Sequence, residues 1–307
     1  MDLKQLEYII KIAEEKNITR AAEKLFITQS ALNQQLLRLE KELGTQLFMR
    51  SRANWQLTSA GKIYSENAKK MLQIKKDTYN QINDLLEKQK GKLSLGFTPE
   101  RGSEMFASVY PLFYKQFPHV KVEPYELTVR QQQNEIAAGN LDIGFLTLQD
   151  HQKTNDEHIS ICAEEIILAV PVSHYLAELG GALGEHLPEI SLEQFKEDSF
   201  AIMQKGSTLR DLFDQLTSEC KINILLETRS CQTLFKMVAE GLCCSVIPVI
   251  YAQNHPNVKY FSISQKPTWK IYASYKKGSY LSHPAREFIR YAAFYWNKKS
   301  NALWNNL

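Results

Sequence analysis

The chain has 307 residues, of which 44% are hydrophobic and 23% are charged. This length leaves room for two or three domains with cores of their own, and this composition excludes an intrinsically disordered chain. The apolar runs all fall short of the roughly 18 residues that a membrane helix needs, and charges interrupt the first stretch every few positions, so we expect no secretory signal and a cytoplasmic location.

The net charge of +3 is unevenly distributed. Residues 1–90 hold 16 Lys and Arg against 11 Asp and Glu, a balance of +5, and the remainder holds 21 against 23, a balance of −2. A basic first part favours a polyanion as its partner, although ordinary scatter of charges gives similar numbers.

Three short helices are predicted in the first 44 residues, because apolar residues recur there at helical spacing. Asn17 and Thr28 are suited to cap the second and third helices, and Gly44 is suited to end the third. The residues expected to face inward are Leu3, Leu6, Ile10 and Ala13, then Ala21, Ala22 and Leu25, then Leu32, Leu36, Leu39 and Leu43.

The third helix has a polar face without acids in its first turns. Gln29, Ser30, Asn33 and Gln34 are followed by Arg38, and the first carboxylate is Glu40. Side-chain amides can pair with the edge of adenine in the major groove, whereas a carboxylate between rows of phosphates is repelled. Two short helices followed by such a helix indicate a helix-turn-helix; an ordinary solvated helix is the alternative reading.

A small hairpin, or wing, is predicted after the third helix. Leu47 and Phe48 are apolar anchors, and a short strand begins at Trp55. Arg50 and Arg52 lie beside Ala53 and Asn54 at the tip of the hairpin, where guanidinium groups suit phosphates or the minor groove.

Residues 17–61 resemble the winged helix-turn-helix of LysR-type transcriptional regulators. The resemblance is carried by the pair Ala21-Ala22, by Gln-Ser-Ala-Leu at 29–32, by Leu-Glu-Lys-Glu-Leu-Gly at 39–44, by Leu-Phe-Met-Arg at 47–50 and by Leu-Thr-Ser-Ala-Gly at 57–61. Ser30 and Asn33 depart from the family, which usually has Pro and Ser there, so the preferred DNA sequence is expected to be atypical. We expect DNA contacts from Arg20, Thr28, Gln29, Ser30, Asn33, Gln34, Arg38, Arg50 and Arg52.

A long helix is predicted from Thr58 to about residue 90, with a length of about 45–50 Å at 1.5 Å per residue. Its apolar seam follows a heptad-like pattern, which predicts pairing with the same helix of a second chain and hence a homodimer. Packing against its own chain is the alternative. The predicted seam consists of Ala68, Leu72, Lys75, Tyr79, Ile82 and Leu86.

The rest of the chain alternates strands with helices, which predicts an α/β domain with a parallel sheet and helical crossovers. Inward residues of its first helix are Met105, Val109, Leu112 and Phe113. A weak repeat relates residues 125–146 to residues 226–248, each with a threonine, a helix and a glycine stop, at Gly139 and Gly241. Two similar units suggest two lobes, whose strand-to-helix turns face one cleft.

Hydroxyl groups follow several of these strands. Because hydroxyls and free N–H groups at helix amino ends bind anions, we expect a small, anionic effector in the cleft; simple capping of the helices is the alternative. The expected effector-binding residues are Thr98, Pro99, Ser103, Thr128, Thr147, Ser207, Thr208, Thr228 and Ser230.

The resemblance to LysR-type regulators continues through the second part, whose effector domain in that family is similar to two-lobed periplasmic solute-binding proteins. It implies an all-α winged helix-turn-helix at 1–58, a linker helix at 59–90 and an α/β two-lobed effector-binding domain at 91–307. Lobe I is expected to comprise about 91–165 and 268–307, and lobe II about 166–267. Family resemblance also implies pairing of dimers into a tetramer.

Other functional classes have less support. The sequence has no HExxH, no GxxxxGK loop and no dinucleotide-binding glycine motif after a strand, so we expect no enzyme, no cofactor and no metal. The five cysteines form no CxxC pair, which suits reduced thiols. The alternative regulatory reading is a redox sensor that uses Cys231, near the predicted cleft, with Cys220 eleven residues earlier.

The sequence therefore predicts a transcriptional regulator that binds specific double-stranded DNA and responds to a small-molecule effector. Its expected partners are DNA, the effector, a second copy of the chain and, if it activates transcription, RNA polymerase; no membrane is expected.

Overall fold

The computed structural model describes residues 2–50, 55–86 and 90–304, with side chains up to residue 298. The chain divides into two compact units, Met1–Glu87 and Lys88–Leu307. Among the described residues, the helices are either too short or too polar to cross a membrane.

The first unit is helical with one small hairpin. Its elements are α1 (Leu3–Glu15), α2 (Ile18–Lys24), α3 (Gln29–Leu43), β1 (Phe48–Met49), β2 (Gln56–Leu57) and α4 (Ser59–Leu85). The predicted caps are confirmed: Asn17 accepts N–H bonds at the start of α2, Thr28 accepts that of Ala31, and Gly44 ends α3 with a φ of 68°. Strands β1 and β2 pair in antiparallel fashion, as a wing requires.

The core of this unit uses most of the predicted apolar stripe. Leu32, Leu36 and Leu39 are buried against Ile9 and Ile12 of α1 and the alanines of α2. The prediction was wrong for Leu3 and Leu43, which are 41% and 44% exposed. Both lie in terminal turns of their helices, beyond the reach of the core.

Helix α4 divides its predicted seam between two environments. Ala68 and Leu72 pack against Leu6 and Ile10 of α1. This part of the helix therefore follows the alternative, packing against its own chain. The later seam residues are exposed, with Tyr79 the most accessible at 63%. The exposed apolar side chains of α4 are Ile63, Met71, Ile74, Tyr79, Ile82, Leu85 and Leu86.

The second unit contains the α/β domain. Its strands are β3 (Lys90–Phe97), β4 (His119–Glu126), β5 (Ile143–Leu148), β6 (Glu157–Pro171), β7 (Glu189–Ile190), β8 (Ser199–Met203), β9 (Asn223–Thr228), β10 (Ser245–Pro248), β11 (Val258–Ile263) and β12 (Thr268–Tyr275). Its helices are α5 (Arg101–Gln116), α6 (Val129–Ala138), α7 (Thr208–Leu216), α8 (Cys231–Ala239) and α9 (His283–Trp304).

Strand β6 connects two separately packed regions. Residues 157–165 pair with β12, and residues 166–171 pair with β10 and β11. One core lies between α5, α9 and the sheet of β3, β5 and β12, and the other surrounds α7, α8 and the second half of β6. The chain thus forms two lobes that share one continuous strand.

The prediction of a parallel sheet holds only in part. Strand β3 is parallel to β4 and β5, and β8 is parallel to β9. Strands β6, β10, β11 and β12 pair with antiparallel neighbours, because the chain runs into the second lobe along β6 and returns along β12. In α5, Leu112 was predicted to face inward but is 51% exposed, whereas Met105, Val109 and Phe113 are buried.

Candidate functional site

The face of α3 opposite its leucines is open to solvent. Gln29, Ser30, Gln34 and Arg38 are exposed and Asn33 is half-buried. The buried leucines on the other side fix the rotation of the helix, so these polar groups point away from the core of the first unit. The structure thus brings the predicted base-reading residues together on one exposed surface.

The amino end of α3 is held in place by hydroxyl groups. Oγ1 of Thr28 accepts the N–H of Ala31 at 3.2 Å and lies 3.1 Å from Oγ of Ser30. Arg20 of α2, eight residues before Thr28 in the sequence, is exposed. The amino end of a helix carries a partial positive charge. Hydroxyl, N–H and guanidinium groups here can donate hydrogen bonds to a phosphate.

The wing is tied to α3 through Glu40. This carboxylate is 6% exposed, accepts the N–H of Leu47 at 2.8 Å and pairs with the guanidinium of Arg50. Glu40 is thus a buried group that joins α3 to the wing. Arg52, also expected on the wing, lies outside the described residues.

Arg50 keeps part of its surface accessible. Its side chain is 33% exposed, and its guanidinium carbon lies 5.5 Å from the centre of the Trp55 ring. The ion pair with Glu40 holds the guanidinium at the base of the wing, where its remaining N–H groups can still reach a phosphate.

The predicted effector residues fall into two groups in the second unit. Three of them cap helices: Thr128 caps α6, Ser207 caps α7 and Ser230 caps α8. Thr228 ends β9 and accepts the N–H of Ser230 at 3.2 Å. Helix capping, the alternative to effector binding, therefore describes three of the nine predicted effector residues.

The other predicted residues lie at the carboxyl ends of strands or beside them. Thr98 follows β3 and is half-buried, and Pro99 is exposed. The hydroxyl of Ser103 donates to Glu126 at 3.0 Å. Thr147 lies in the buried strand β5 and is 8% exposed.

Among the described residues, the hydrogen bonds between the two lobes include three near the predicted turns. Thr208 of α7 donates its hydroxyl to the carbonyl oxygen of Thr147 at 2.9 Å, and Gln152 donates to Asp211 at 3.1 Å. The third joins Glu100 to the N–H of Cys231, the first residue of α8. The turns that were predicted to share a cleft thus do approach one another across the lobes.

A charged cluster beside these contacts was not predicted from the sequence. Arg101, 7% exposed, donates to the carboxylate of Glu164 at 2.6 Å, and the indole N–H of Trp269 donates to the same oxygen at 2.6 Å. Because 63 residues separate Arg101 from Glu164, periodicity gives no signal of this pair.

The cysteines are free thiols in mostly buried positions. Burial raises the pKa of Cys231 to about 12, an effect that the nearby Arg101 only partly opposes. The pKa of the half-buried Cys220 is also raised, by burial and then by Glu193 and Glu219. Both groups stay protonated near neutral pH, which disfavours reactive thiolates.

A separate cavity of about 320 Å³ lies in lobe II. It is lined by Ser191, Glu193, Leu212, Glu219 and Cys220, among others, and by none of the predicted effector residues. Within residues 2–50, 55–86 and 90–304, no three His, Cys, Asp or Glu side chains converge as a metal site would require.

Comparisons with known proteins agree with this architecture. The model of the bacterial regulatory helix-turn-helix protein, lysR family, matches residues 3–62, and that of the LysR substrate binding domain matches residues 87–294. The chain is 29% identical to the uncharacterized HTH-type transcriptional regulator YcgK of Bacillus subtilis, over 94% of this chain and 93% of the relative. It is 26% identical to the HTH-type transcriptional regulator XapR of Escherichia coli, over 90% and 92%.

Solved structures share the fold at lower identity. A full-length OxyR variant from Pseudomonas aeruginosa is 23% identical, with a TM-score of 0.66 over 96% of this chain and 97% of that one. Full-length CbnR in complex with its target DNA is 20% identical, with a TM-score of 0.54 over 95% and 99%.

Proposed function

The chain belongs to the LysR family of DNA-binding transcriptional regulators, which are not enzymes, and from this premise we propose how it reads DNA and senses a ligand. It recognises a specific double-stranded sequence through α3, and a small anionic effector held between the two lobes changes that recognition. The observation that carries the proposal is the exposed, acid-free amide face of α3.

Base reading is assigned to Gln29, Ser30, Asn33 and Gln34. Their amides and hydroxyl can match donor and acceptor patterns in the major groove, with Gln and Asn best suited to adenine. The exposure of this face and the burial of the opposite leucines support the assignment. Ser30 and Asn33, which depart from the family pattern, are expected to shift the preferred sequence.

Phosphate contacts are assigned to Thr28, Arg20 and Arg38, with Arg50 and Arg52 at the wing. The positive charge of the four arginines acts on every DNA sequence alike and sets the salt dependence of binding. Arg50 has a double function in this assignment, since its ion pair with Glu40 also fixes the wing.

The effector cleft is assigned to the lobe-facing turns. Its residues are Thr98, Pro99, Ser103, Thr128, Thr147, Ser207, Thr208, Thr228 and Ser230. The hydrogen bond from Thr208 to Thr147 supports this assignment, because it shows the two lobes in direct contact at these turns. A ligand can act only through a different affinity for the open and closed arrangements.

A homodimer through α4 would provide two DNA-reading heads. The exposed apolar side chains of α4 support this arrangement, since a second copy of the helix would remove them from water. Replacement of Ile82 by Glu should dissociate the dimer, whereas Lys70→Glu, at an exposed position of α4 outside the predicted seam, should not; sedimentation velocity distinguishes them. Pairing of dimers into a tetramer, contact with RNA polymerase and action in the cytoplasm complete the proposal.

Selection of genomic DNA fragments by the full-length chain tests this function. Enriched fragments should share a motif, and their neighbouring genes should indicate the pathway of the effector. Binding of the enriched motif should weaken steeply with salt and exceed that of shuffled DNA by at least about a thousandfold. Equal affinity for both DNAs would refute sequence-specific recognition.

The redox-sensing alternative gains no support from the cysteines. Two of the similar structures are OxyR proteins of Corynebacterium glutamicum, one of them bound to H2O2, and this likeness shows the fold alone. In the present chain, the buried Cys231 has a raised pKa and therefore little thiolate.

A further inference from the structure

The amino end of α8 is occupied by a carboxylate of the chain itself. Oε2 of Glu100, which lies in the other lobe, accepts the N–H of Cys231 at 3.0 Å. The first turn of a helix offers free N–H groups and a partial positive charge, which together favour carboxylates. Glu100 therefore holds the position that an anionic ligand of α8 would take.

Glu100 holds this position with an unfavourable backbone. Its φ of 60° and ψ of −89° lie outside the regions that residues with a Cβ normally adopt. Such conformations persist only where the surrounding structure imposes them. Release of Glu100 from α8 would allow this backbone to relax, so the contact is poised for exchange.

Arg101 gives an independent indication of a ligand. It is 7% exposed, and one guanidinium nitrogen, Nη2, donates to Glu164. The other nitrogen, Nη1, is buried and has no hydrogen-bond partner among the described residues. A buried N–H group without an acceptor is unfavourable, so an oxygen atom of a ligand would satisfy it.

Two aromatic rings flank the guanidinium of Arg101. The guanidinium lies 5.6 Å from the centre of the Tyr251 ring and 5.3 Å from that of Trp269. Glu100, the neighbour of Arg101 in the chain, accepts the N–H of Cys231, which places the start of α8 beside this segment. Donors from both lobes thus lie in the same region, where the lobes meet and two aromatic rings flank the guanidinium.

The charges of this cluster allow an anion to replace Glu100. Arg101 and Glu164 offset each other, and the thiol of Cys231 is neutral, so Glu100 contributes the remaining negative charge. An incoming carboxylate that replaces Glu100 leaves the net charge of the cluster unchanged. A cation would instead have to approach the guanidinium, which repels it.

We propose that Glu100 is a built-in competitor for a small carboxylate effector. The effector carboxylate binds the N–H of Cys231 and Nη1 of Arg101, while the side chain of Glu100 turns out to solvent. This inference rests on the proposed effector function and specifies its ligand class and two residues, Glu100 and Arg101, that the sequence did not indicate.

The test compares full-length wild type with Glu100→Ala, using acetate, uncharged acetamide and phosphate at constant ionic strength. Calorimetric titration should show that Glu100→Ala lowers the dissociation constant for acetate by roughly tenfold or more, because the competitor is gone. Acetamide should bind neither protein. Glu104→Ala is the matched control, since this carboxylate of the same helix faces Tyr295 of α9, and it should behave as the wild type.

Two further measurements keep the outcome decisive. The amide resonance of Cys231 should shift in Glu100→Ala and shift again when acetate is added, and Arg101→Lys should weaken acetate binding to Glu100→Ala without unfolding it. An unchanged acetate affinity in Glu100→Ala, equal binding of acetamide, or tighter binding of phosphate would overturn the proposal. DNA binding by the same samples separates the two claims: if it persists without any gain for acetate, only this inference fails.

Discussion

The carboxylate of Glu40 in α3 pairs with the guanidinium of Arg50 at the base of the wing. The same carboxylate accepts the N–H of Leu47. These contacts join the DNA-facing helix to the hairpin, so that the two present their cationic and polar groups in a fixed geometry.

Replacement of Glu40 by Ala should therefore destabilise the first unit. The change leaves a buried N–H and a guanidinium without their partner, and we expect a loss of about 2 kcal/mol in the free energy of unfolding. Urea denaturation of the full chain measures it. Glu42→Ala, which removes an exposed acid from the same helix, is the control; equal stability of the two variants would contradict the structural role of Glu40.

Replacement of Gln29 by Ala should reduce affinity for the selected DNA motif by about 1–3 kcal/mol and relax its sequence preference. Affinity for shuffled DNA should stay the same, because a base contact and not a phosphate contact is lost. Fluorescence anisotropy at fixed salt measures both. Gln35→Ala removes an exposed amide from the flank of the same helix and should change the affinity for neither DNA. An equal loss of affinity for both DNAs in Gln29→Ala would exclude base reading by Gln29.

Replacement of Gly61 by Ala should destabilise the first unit by about 2 kcal/mol or more, since an added Cβ forces close-packed atoms apart. That Cβ would lie 2.0 Å from the carbonyl oxygen of Leu47, where α4 meets the start of the wing. Scanning calorimetry should show the first unit melting earlier. Lys62→Ala, at the exposed neighbouring position, should melt as the wild type does, and an unaltered transition for Gly61→Ala would refute the steric argument.

Replacement of Thr208 by Val should loosen the contact between the lobes. It removes the hydroxyl that donates to Thr147, at a cost of about 1 kcal/mol to the closed arrangement. Hydrogen exchange at the start of α7 should become faster. Thr217→Val removes a comparable bond within one lobe, from the hydroxyl to the carbonyl of Phe213, and exchange at the start of α7 should then stay unchanged.

Stability should fall as the pH rises above about 9. The thiol of Cys231 has an ordinary pKa of 9.0, which burial raises to about 12, and burial likewise raises the pKa of Tyr260 from 10.0 to about 12. The unfolded chain therefore loses these protons first. Each such group then lowers the free energy of unfolding by roughly 1 kcal/mol for each pH unit between its unfolded and folded pKa. Denaturation midpoints measured across this range should fall less steeply for Cys231→Ser; an identical slope would exclude Cys231 as a cause.

Local patterns predicted the elements of the first unit well. The caps at Asn17 and Thr28 and the leucine stripe of α3 depend on residues within a few positions of one another, so periodicity and capping preferences reveal them. The same reasoning failed at Leu3 and Leu43, because a helix continues for a turn beyond the core that it covers. The residues of the DNA-binding and effector sites stay predictions.

Contacts between distant residues could not be predicted. The pairing of Arg101 with Glu164 depends on the meeting of α5 with β6, and alternating strands and helices do not indicate which antiparallel neighbours β6 acquires. The role of Glu40 was missed for a similar reason: its partners follow a turn whose course the helical pattern does not specify.

The sharing of β6 limits how regulators of this shape can exchange their ligand-sensing parts. The chain leaves the first lobe between Glu165 and Ile166, where the strand changes neighbours, and returns at Thr268, where β12 begins. A chimaera that gains a new second lobe therefore needs two crossovers, and both must preserve the pairing register on either side. A single crossover inside β6 would join strands from different parents within one sheet.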